Sequence, residues 1–133
     1  MSKNKRILII DDEKINIIAL AHYLKPQYDI IVATDGASGI EAAEKHLPDL
    51  ILLDIIMPEM DGFDVLIRLK ESKITKKIPV IFITGLNSTE EEEKSITLGA
   101  ADFIEKPFNK AIVKNRIEIH LKIAEHEQST GEN

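Results

Sequence analysis

Asp11, Asp12, Asp54, Thr84 and Lys106 are the residues of this chain whose types could do chemistry together, and each follows an aliphatic run. Arg6-Ile-Leu-Ile-Ile10 leads into Asp11-Asp12, Leu50-Ile-Leu-Leu53 into Asp54, Pro79-Val-Ile-Phe-Ile83 into Thr84, and Asp102-Phe-Ile104 into Glu105-Lys106-Pro107. If those runs are parallel strands, their carboxyl ends share one rim, where open α/β sheets bind ligands. Three aspartates on one rim repel one another, so the site needs either a raised pKa or a cation to hold the charges. The cluster is carboxylate-only, without His or Cys at these strand ends, and such oxygen donors suit Mg²⁺ or Mn²⁺ better than Zn²⁺. A cation, the Lys106 ammonium and the Thr84 hydroxyl around one carboxylate are the parts that stabilise a phosphoryl group in transit. Asp54 is then the nucleophile, forming an acyl phosphate.

Each residue also has an ordinary reading. Asp12 suits the N-cap of a helix, Thr84 could be a plain strand-end threonine, and Lys106 a solvated lysine. Asp54 resists such a reading, because a carboxylate closing a buried strand is costly without a partner. Convergence of four strand ends on the same chemistry favours the functional interpretation.

The elements that must position these groups are legible in the pattern. Asp29-Ile-Ile-Val-Ala33 completes a set of five apolar runs that are nearly continuous rather than alternating, as strands covered on both faces read. Helical segments are expected between them: about Glu13 to Lys25, Ala37 to His46, Gly62 to Ser72, Thr89 to Leu98 and Lys110 to His126. Strand and helix alternating five times predict an α/β, doubly wound parallel sheet. Ser88 with Glu91, or Thr89 with Glu92, has capping-box spacing, and Gly99 stands where that helix should stop. The four glutamates from Glu90 read better as a solvated helix start than as a binding patch.

A chain of 133 residues makes one domain. Its 44% hydrophobic and 30% charged residues are an ordinary globular mixture. The apolar runs are far shorter than the roughly 20 residues of a membrane-spanning helix, and no secretory signal pattern opens the chain. The absence of cysteine excludes disulfides and thiolate metal sites and favours the cytoplasm. A net charge of −6 argues against direct nucleic-acid binding.

With these residues in view, the sequence resembles the receiver (response-regulator) domain family of two-component signalling. "ILIIDDE", "ILLDIIMPEMDGFDVL", "PVIFITG" and "GAADFIEKPF" match that family's motifs in order and separation, over about Lys5 to Ala124. The resemblance implies a flavodoxin-like (βα)5 fold, a five-stranded parallel sheet of order 2-1-3-4-5 with five helices. A receiver domain over residues 1–126 and a polar, disordered tail over 127–133 are expected. Asp54 is implied as acceptor of a phosphoryl group from a histidine kinase or phosphotransfer protein. Asp12, Asp54 and the Ile56 backbone carbonyl are implied as Mg²⁺ ligands, with Asp11 acting largely through metal-bound water. Lys106 is implied to pair with a phosphoryl oxygen, its bond to Pro107 being cis. Thr84 and Phe103 are implied as the switch pair that re-forms the surface of the fourth helix, fifth strand and fifth helix. Phe103 lacks the hydroxyl of the tyrosine common there, so such a switch runs on packing. Ile56 and Leu86 are apolar where polar residues can position an attacking water, and slow self-dephosphorylation is expected.

The last helix carries two apolar stripes. Val113, Ile117, Leu121 and Ala124 suit the core. Ile112, Ile119 and Ile123, with Arg116 between, have the 4-3-4 spacing of a coiled-coil seam; either they pack internally or they serve a homodimer or output contact. His22, His46, His120 and His126 are expected to be exposed helix residues, because a histidine phosphotransfer module is a helical bundle and five strands contradict that. An enzyme of the haloacid-dehalogenase type would carry a second aspartate where Ile56 stands. A pseudo-receiver would not need all five site residues. The expectation is therefore a phosphoacceptor switch rather than an enzyme acting on an independent substrate.

Overall fold

The computed structural model describes residues 4–85 and 88–131, with side chains described through Glu127. Its elements run β1 (Arg6–Ile10), α1 (Lys14–Leu24), β2 (Asp29–Ala33), α2 (Gly36–His46), β3 (Leu50–Leu53), α3 (Gly62–Glu71), β4 (Val80–Thr84), α4 (Thr89–Thr97), β5 (Asp102–Glu105) and α5 (Lys110–Gly131). The strands form one parallel sheet in the order β2-β1-β3-β4-β5, the expected doubly wound architecture.

The continuous apolar runs are explained by helices on both faces. Leu8, Ile10, Ile51, Leu53, Val80 and Phe82 point to one layer, packed by Ala43 of α2 and by Phe63, Val65, Leu66 and Leu69 of α3. Ile7, Ile9, Leu50, Leu52, Ile81 and Ile83 point to the other, under Ile17, Leu20 and Leu24 of α1 and Val113, Ile117 and Leu121 of α5. Successive apolar residues of β1, β3 and β4 thus alternate between two cores and meet no solvent face, whereas the edge strand β2 leaves Val32 exposed.

Local chemistry starts and stops the helices. Asp61 and Asp64 form a reciprocal capping box at α3, each side chain accepting from the other's backbone amide. Of the two spacings at α4, the Ser88 one forms, its hydroxyl accepting from the Glu91 amide at 3.2 Å. Gly99, at φ 100°, takes the left-handed conformation just past that helix.

Two expectations need correction. α5 continues to Gly131 rather than yielding to a tail at residue 127; no proline or glycine interrupts the chain before Gly131, so nothing stops the helix earlier. His120 is not an exposed helix residue: its side chain is 16% exposed and its Nε2 lies 3.0 Å from Asp102 Oδ2. Arg116, one turn earlier, donates to both Asp102 oxygens at 2.9 and 3.0 Å. The i, i+4 spacing of Arg116 and His120 puts both on the α5 face above the start of β5. That spacing was a signal for the cluster, but only the fold brings Asp102 beneath it.

Candidate functional site

Chain order reverses between β1 and β3, which are neighbours with β2 lying beyond β1, so a crevice opens at the carboxyl ends of those two strands. Asp11 and Asp12 leave β1 there, and Asp54 leaves β3. The register fixes them: the Asp54 amide donates to the Ile10 carbonyl at 3.0 Å, and the Asp11 amide to the Ala33 carbonyl at 3.2 Å. Carboxylate oxygens of Asp11, Asp12 and Asp54 all lie within 4.8 Å of one another. Asp12 does not cap α1; Glu13 holds the cap position without a side-chain bond, which leaves the Asp12 carboxylate exposed at the cluster. Asp11 is buried and accepts from the Glu13 amide at 2.9 Å.

Lys106 comes to the same place from the far edge of the sheet. Its backbone amide donates to the Thr84 carbonyl at 2.8 Å, and its bond to Pro107 is cis, as expected. Its Nζ stands 3.5 Å from Asp54 Oδ2, 3.5 Å from Asp11 Oδ2 and 4.0 Å from Glu13 Oε1. Thr84 ends β4 fully buried, and Phe103, partly buried on β5, is the register partner of Phe82. Leu86 lies outside the described residues.

Electrostatics mark Asp54 out. Burial raises its pKa first and the Asp11 charge adds to this; Lys106 and the backbone at Ile56 and Ile55 pull the other way, leaving it at about 6 against an ordinary 3.8. One ammonium therefore does not balance three carboxylates. The remaining negative charge, presented entirely by hard oxygen donors, fits Mg²⁺ or Mn²⁺.

The loop that follows Asp54 is held by Gly62, whose amide donates to the Ile55 carbonyl at 2.8 Å. A Cβ on Gly62 would overlap the Asp54 carbonyl oxygen and come 2.7 Å from Ile55 Cα. In the sequence Gly62 reads only as helix punctuation; its contact with the Asp54 backbone needs the folded loop. Between them Glu59 adopts φ 67°, a left-handed conformation that non-glycine residues seldom take.

A doubly wound sheet with an acidic crevice at its switch point defines a flavodoxin-like domain. The chain belongs to the response regulator receiver domain family, which it matches over residues 7–118; phosphorylation on aspartate is that family's general function. It is 38% identical over 113 residues to the response regulator PleD of Caulobacter vibrioides, covering 84% of this chain and 25% of PleD. It is 34% identical over 123 residues to the alkaline phosphatase synthesis transcriptional regulatory protein PhoP of Bacillus subtilis, covering 92% of this chain and 50% of PhoP. The chain thus spans between a quarter and a half of these curated relatives. Among solved structures, the response regulator receiver domain protein (CheY-like) of Methanospirillum hungatei superposes with a TM-score of 0.88 at 28% identity, covering 94% of this chain and 99% of that one. No described helix is long and apolar enough to cross a membrane.

Proposed function

We propose that Asp54 accepts a phosphoryl group from a histidine kinase or a histidine phosphotransfer protein, and that residues 1–126 act as the receiver domain of a phosphorelay. The observation that carries this reading is the Lys106 ammonium 3.5 Å from an Asp54 oxygen within a cluster of three carboxylates at the switch point. A carboxylate oxygen of Asp54 attacks the phosphorus of the phosphohistidine; the N–P bond breaks, the imidazole leaves, and an acyl phosphate forms on Asp54. Lys106 meets the charge on one phosphoryl oxygen and the Thr84 hydroxyl donates to another. Asp11, Asp12, Asp54 and the Ile56 carbonyl would hold Mg²⁺, with Mn²⁺ able to substitute. Bound there, the cation supplies positive charge to the phosphoryl oxygens.

The chain catalyses its own phosphorylation and slow dephosphorylation and works on no independent substrate. On α1, Ile15 and Ile18, three and six residues after Asp12, are 75% and 67% exposed and offer an apolar surface to the phosphoryl donor. Phosphorylation draws on Thr84 and Phe103 to re-form the α4-β5-α5 face. Ile112, Ile119 and Ile123 are 48%, 42% and 45% exposed on α5, which favours a homodimer or output contact for the second stripe over internal packing. Cytoplasmic residence follows from the signalling chemistry and from the cysteine-free composition.

Incubation with acetyl phosphate and Mg²⁺, followed by intact mass, tests the assignment. An adduct of one phosphoryl group that is absent in Asp54→Asn supports it; no adduct on the wild-type chain would refute it.

A further inference from the structure

Lys106 belongs to no strand or helix: it lies in the connection between Glu105, the last residue of β5, and Lys110, the first of α5. Its ammonium stands 3.5 Å from Asp54 Oδ2 and 3.5 Å from Asp11 Oδ2, beyond the roughly 2.7–2.9 Å of a close ammonium–carboxylate contact. Neither carboxylate draws the ammonium onto itself, so its position depends on the backbone that carries the side chain. On one side that backbone is fixed by the Lys106 amide, which donates to the Thr84 carbonyl at 2.8 Å. On the other side it depends on the next three residues. Pro107 and Asn109 are exposed, and the Asn109 side chain caps α5 by accepting from the Ala111 amide at 2.8 Å. Phe108 turns inward, half-buried against the core beneath α1 and α5.

There Phe108 meets Tyr23, in the last turn of α1, edge to face. The ring centroids are 6.1 Å apart and the planes 87° from each other, a favoured arrangement for an aromatic pair. Tyr23 flanks the stripe of Ile17, Leu20 and Leu24 that faces the sheet, and it is half-buried there. A cavity of about 270 Å³ also runs along Phe108, lined by Phe103, Pro107 and Ile112. Phe108 is thus not enclosed on every side, and Tyr23 is its wall toward α1. The Lys110 ammonium, 5.9 Å from the centre of the Tyr23 ring, lies at the outer limit of a cation–π contact and adds little. The start of α1 also meets the site, because the Glu13 amide at its N-cap donates to Asp11 Oδ1 at 2.9 Å. One helix of 11 residues therefore runs from the carboxylates to the residue that anchors the lysine connection.

We infer that Tyr23 is a positioning residue for phosphoryl uptake: its ring stops Phe108, and through Phe108 it holds the Lys106 ammonium where it meets a phosphoryl oxygen on Asp54. The inference rests on the phosphoacceptor assignment above. The contact is between rings, so the aromatic body of Tyr23 carries the role and its hydroxyl does not. An aliphatic side chain at this place would still cover the core but would leave Phe108, and with it the lysine, free to shift. Displacement of a charged group by about 1 Å is enough to slow a reaction that depends on its placement.

The test is the rate of acyl phosphate formation from acetyl phosphate at saturating Mg²⁺, followed by intact mass on the full chain. Urea melts fix a temperature at which every variant is folded. Tyr23→Leu should slow the reaction about tenfold with Mg²⁺ affinity, measured by calorimetry, unchanged, and Tyr23→Phe should restore the wild-type rate. Phe108→Leu, which removes the other ring, should show the same pattern as Tyr23→Leu. A double-mutant cycle separates positioning from general loosening of the fold. If Tyr23 acts through the lysine, Tyr23→Leu adds almost nothing in a Lys106→Gln background. An equal slowing in both backgrounds, a parallel loss of Mg²⁺ affinity, or failure of Tyr23→Phe to restore the rate would overturn the inference. No adduct on the wild-type chain would overturn both this inference and the phosphoacceptor assignment, whereas an adduct formed equally fast with and without the ring overturns this inference alone.

Discussion

Gly62 lies against Asp54 so closely that a methyl group there would overlap the Asp54 carbonyl oxygen and press on Ile55 Cα and the Phe82 ring. The loop leaving Asp54 therefore closes only over a glycine. Gly62→Ala should lower stability by about 1–3 kcal/mol through overpacking, read as a lower urea midpoint. Acyl phosphate formation should also slow at temperatures where the variant is still folded. A variant as stable and as fast as the wild type would show that the loop has room to relax.

Ionised Asp54 is unfavourable in the metal-free fold, where burial and then Asp11 raise its pKa from 3.8 to about 6. The folded state thus binds this proton more tightly than the unfolded chain. Stability contributed by the protonated group is lost as pH rises from about 4 to about 6 and stays lost above that. Asp54→Asn should accordingly stabilise the metal-free chain at pH 7.5 by about 1–3 kcal/mol, with the gain shrinking as pH falls toward 4. Saturating Mg²⁺ should narrow the gap by stabilising the wild type more than the variant. Urea melts at two pH values decide it; an equal gain at both would contradict the titration.

Lys106 bridges Asp54 and Asp11 at 3.5 Å each, yet it adds positive charge beside the proposed cation site. Lys106→Gln should slow phosphoryl uptake from acetyl phosphate by about 100-fold while leaving Mg²⁺ affinity, measured by calorimetry, equal or tighter. Parallel loss of both would mean that the lysine shapes the site rather than meeting the phosphoryl group.

Ile56, two residues after Asp54, is 57% exposed and offers no polar atom from its side chain. Ile56→Asn should shorten the lifetime of the acyl phosphate several-fold by giving an attacking water a partner, with little change in stability. Intact mass followed over time measures this, and an unchanged lifetime would remove the side chain from hydrolysis.

Asp102 ties the start of β5 to α5. Burial opposes its ionisation, but bonds from the Phe103 amide, His120 and Arg116 outweigh it and hold the carboxyl below its usual 3.8. Such a group stabilises the fold above the unfolded value, and its contribution is lost as pH falls through the folded value. Asp102→Asn should cost about 1–3 kcal/mol near neutral pH and progressively less in acid. A difference that does not vary with pH would assign the cost to packing.

Strand positions were legible because aliphatic runs of four or five residues, each ending on a polar group, have few other uses; β1, β2 and β3 have the bounds read from the sequence. The placement of the candidate residues was legible for the same reason, since Asp11, Asp12, Asp54, Thr84 and Lys106 all sit at strand ends. Helix ends were less so: a run such as "EHEQST" has no breaker, and α5 passes through it. The role of His120 was not legible, because its partner Asp102 is 18 residues away in the chain and adjacent only across the β5-α5 packing.

By itself, then, the sequence determined which residue types stand at the ends of five buried strands, and so the class of fold and the chemistry its rim could support. Only the tertiary structure decided how those groups meet. Parallel register sets the three carboxylates within 4.8 Å, desolvation moves Asp54 to about 6, and the packing of α5 leaves one apolar stripe exposed while burying the other. Distance and burial are properties of the assembled sheet and its helices, and a single chain segment does not contain them.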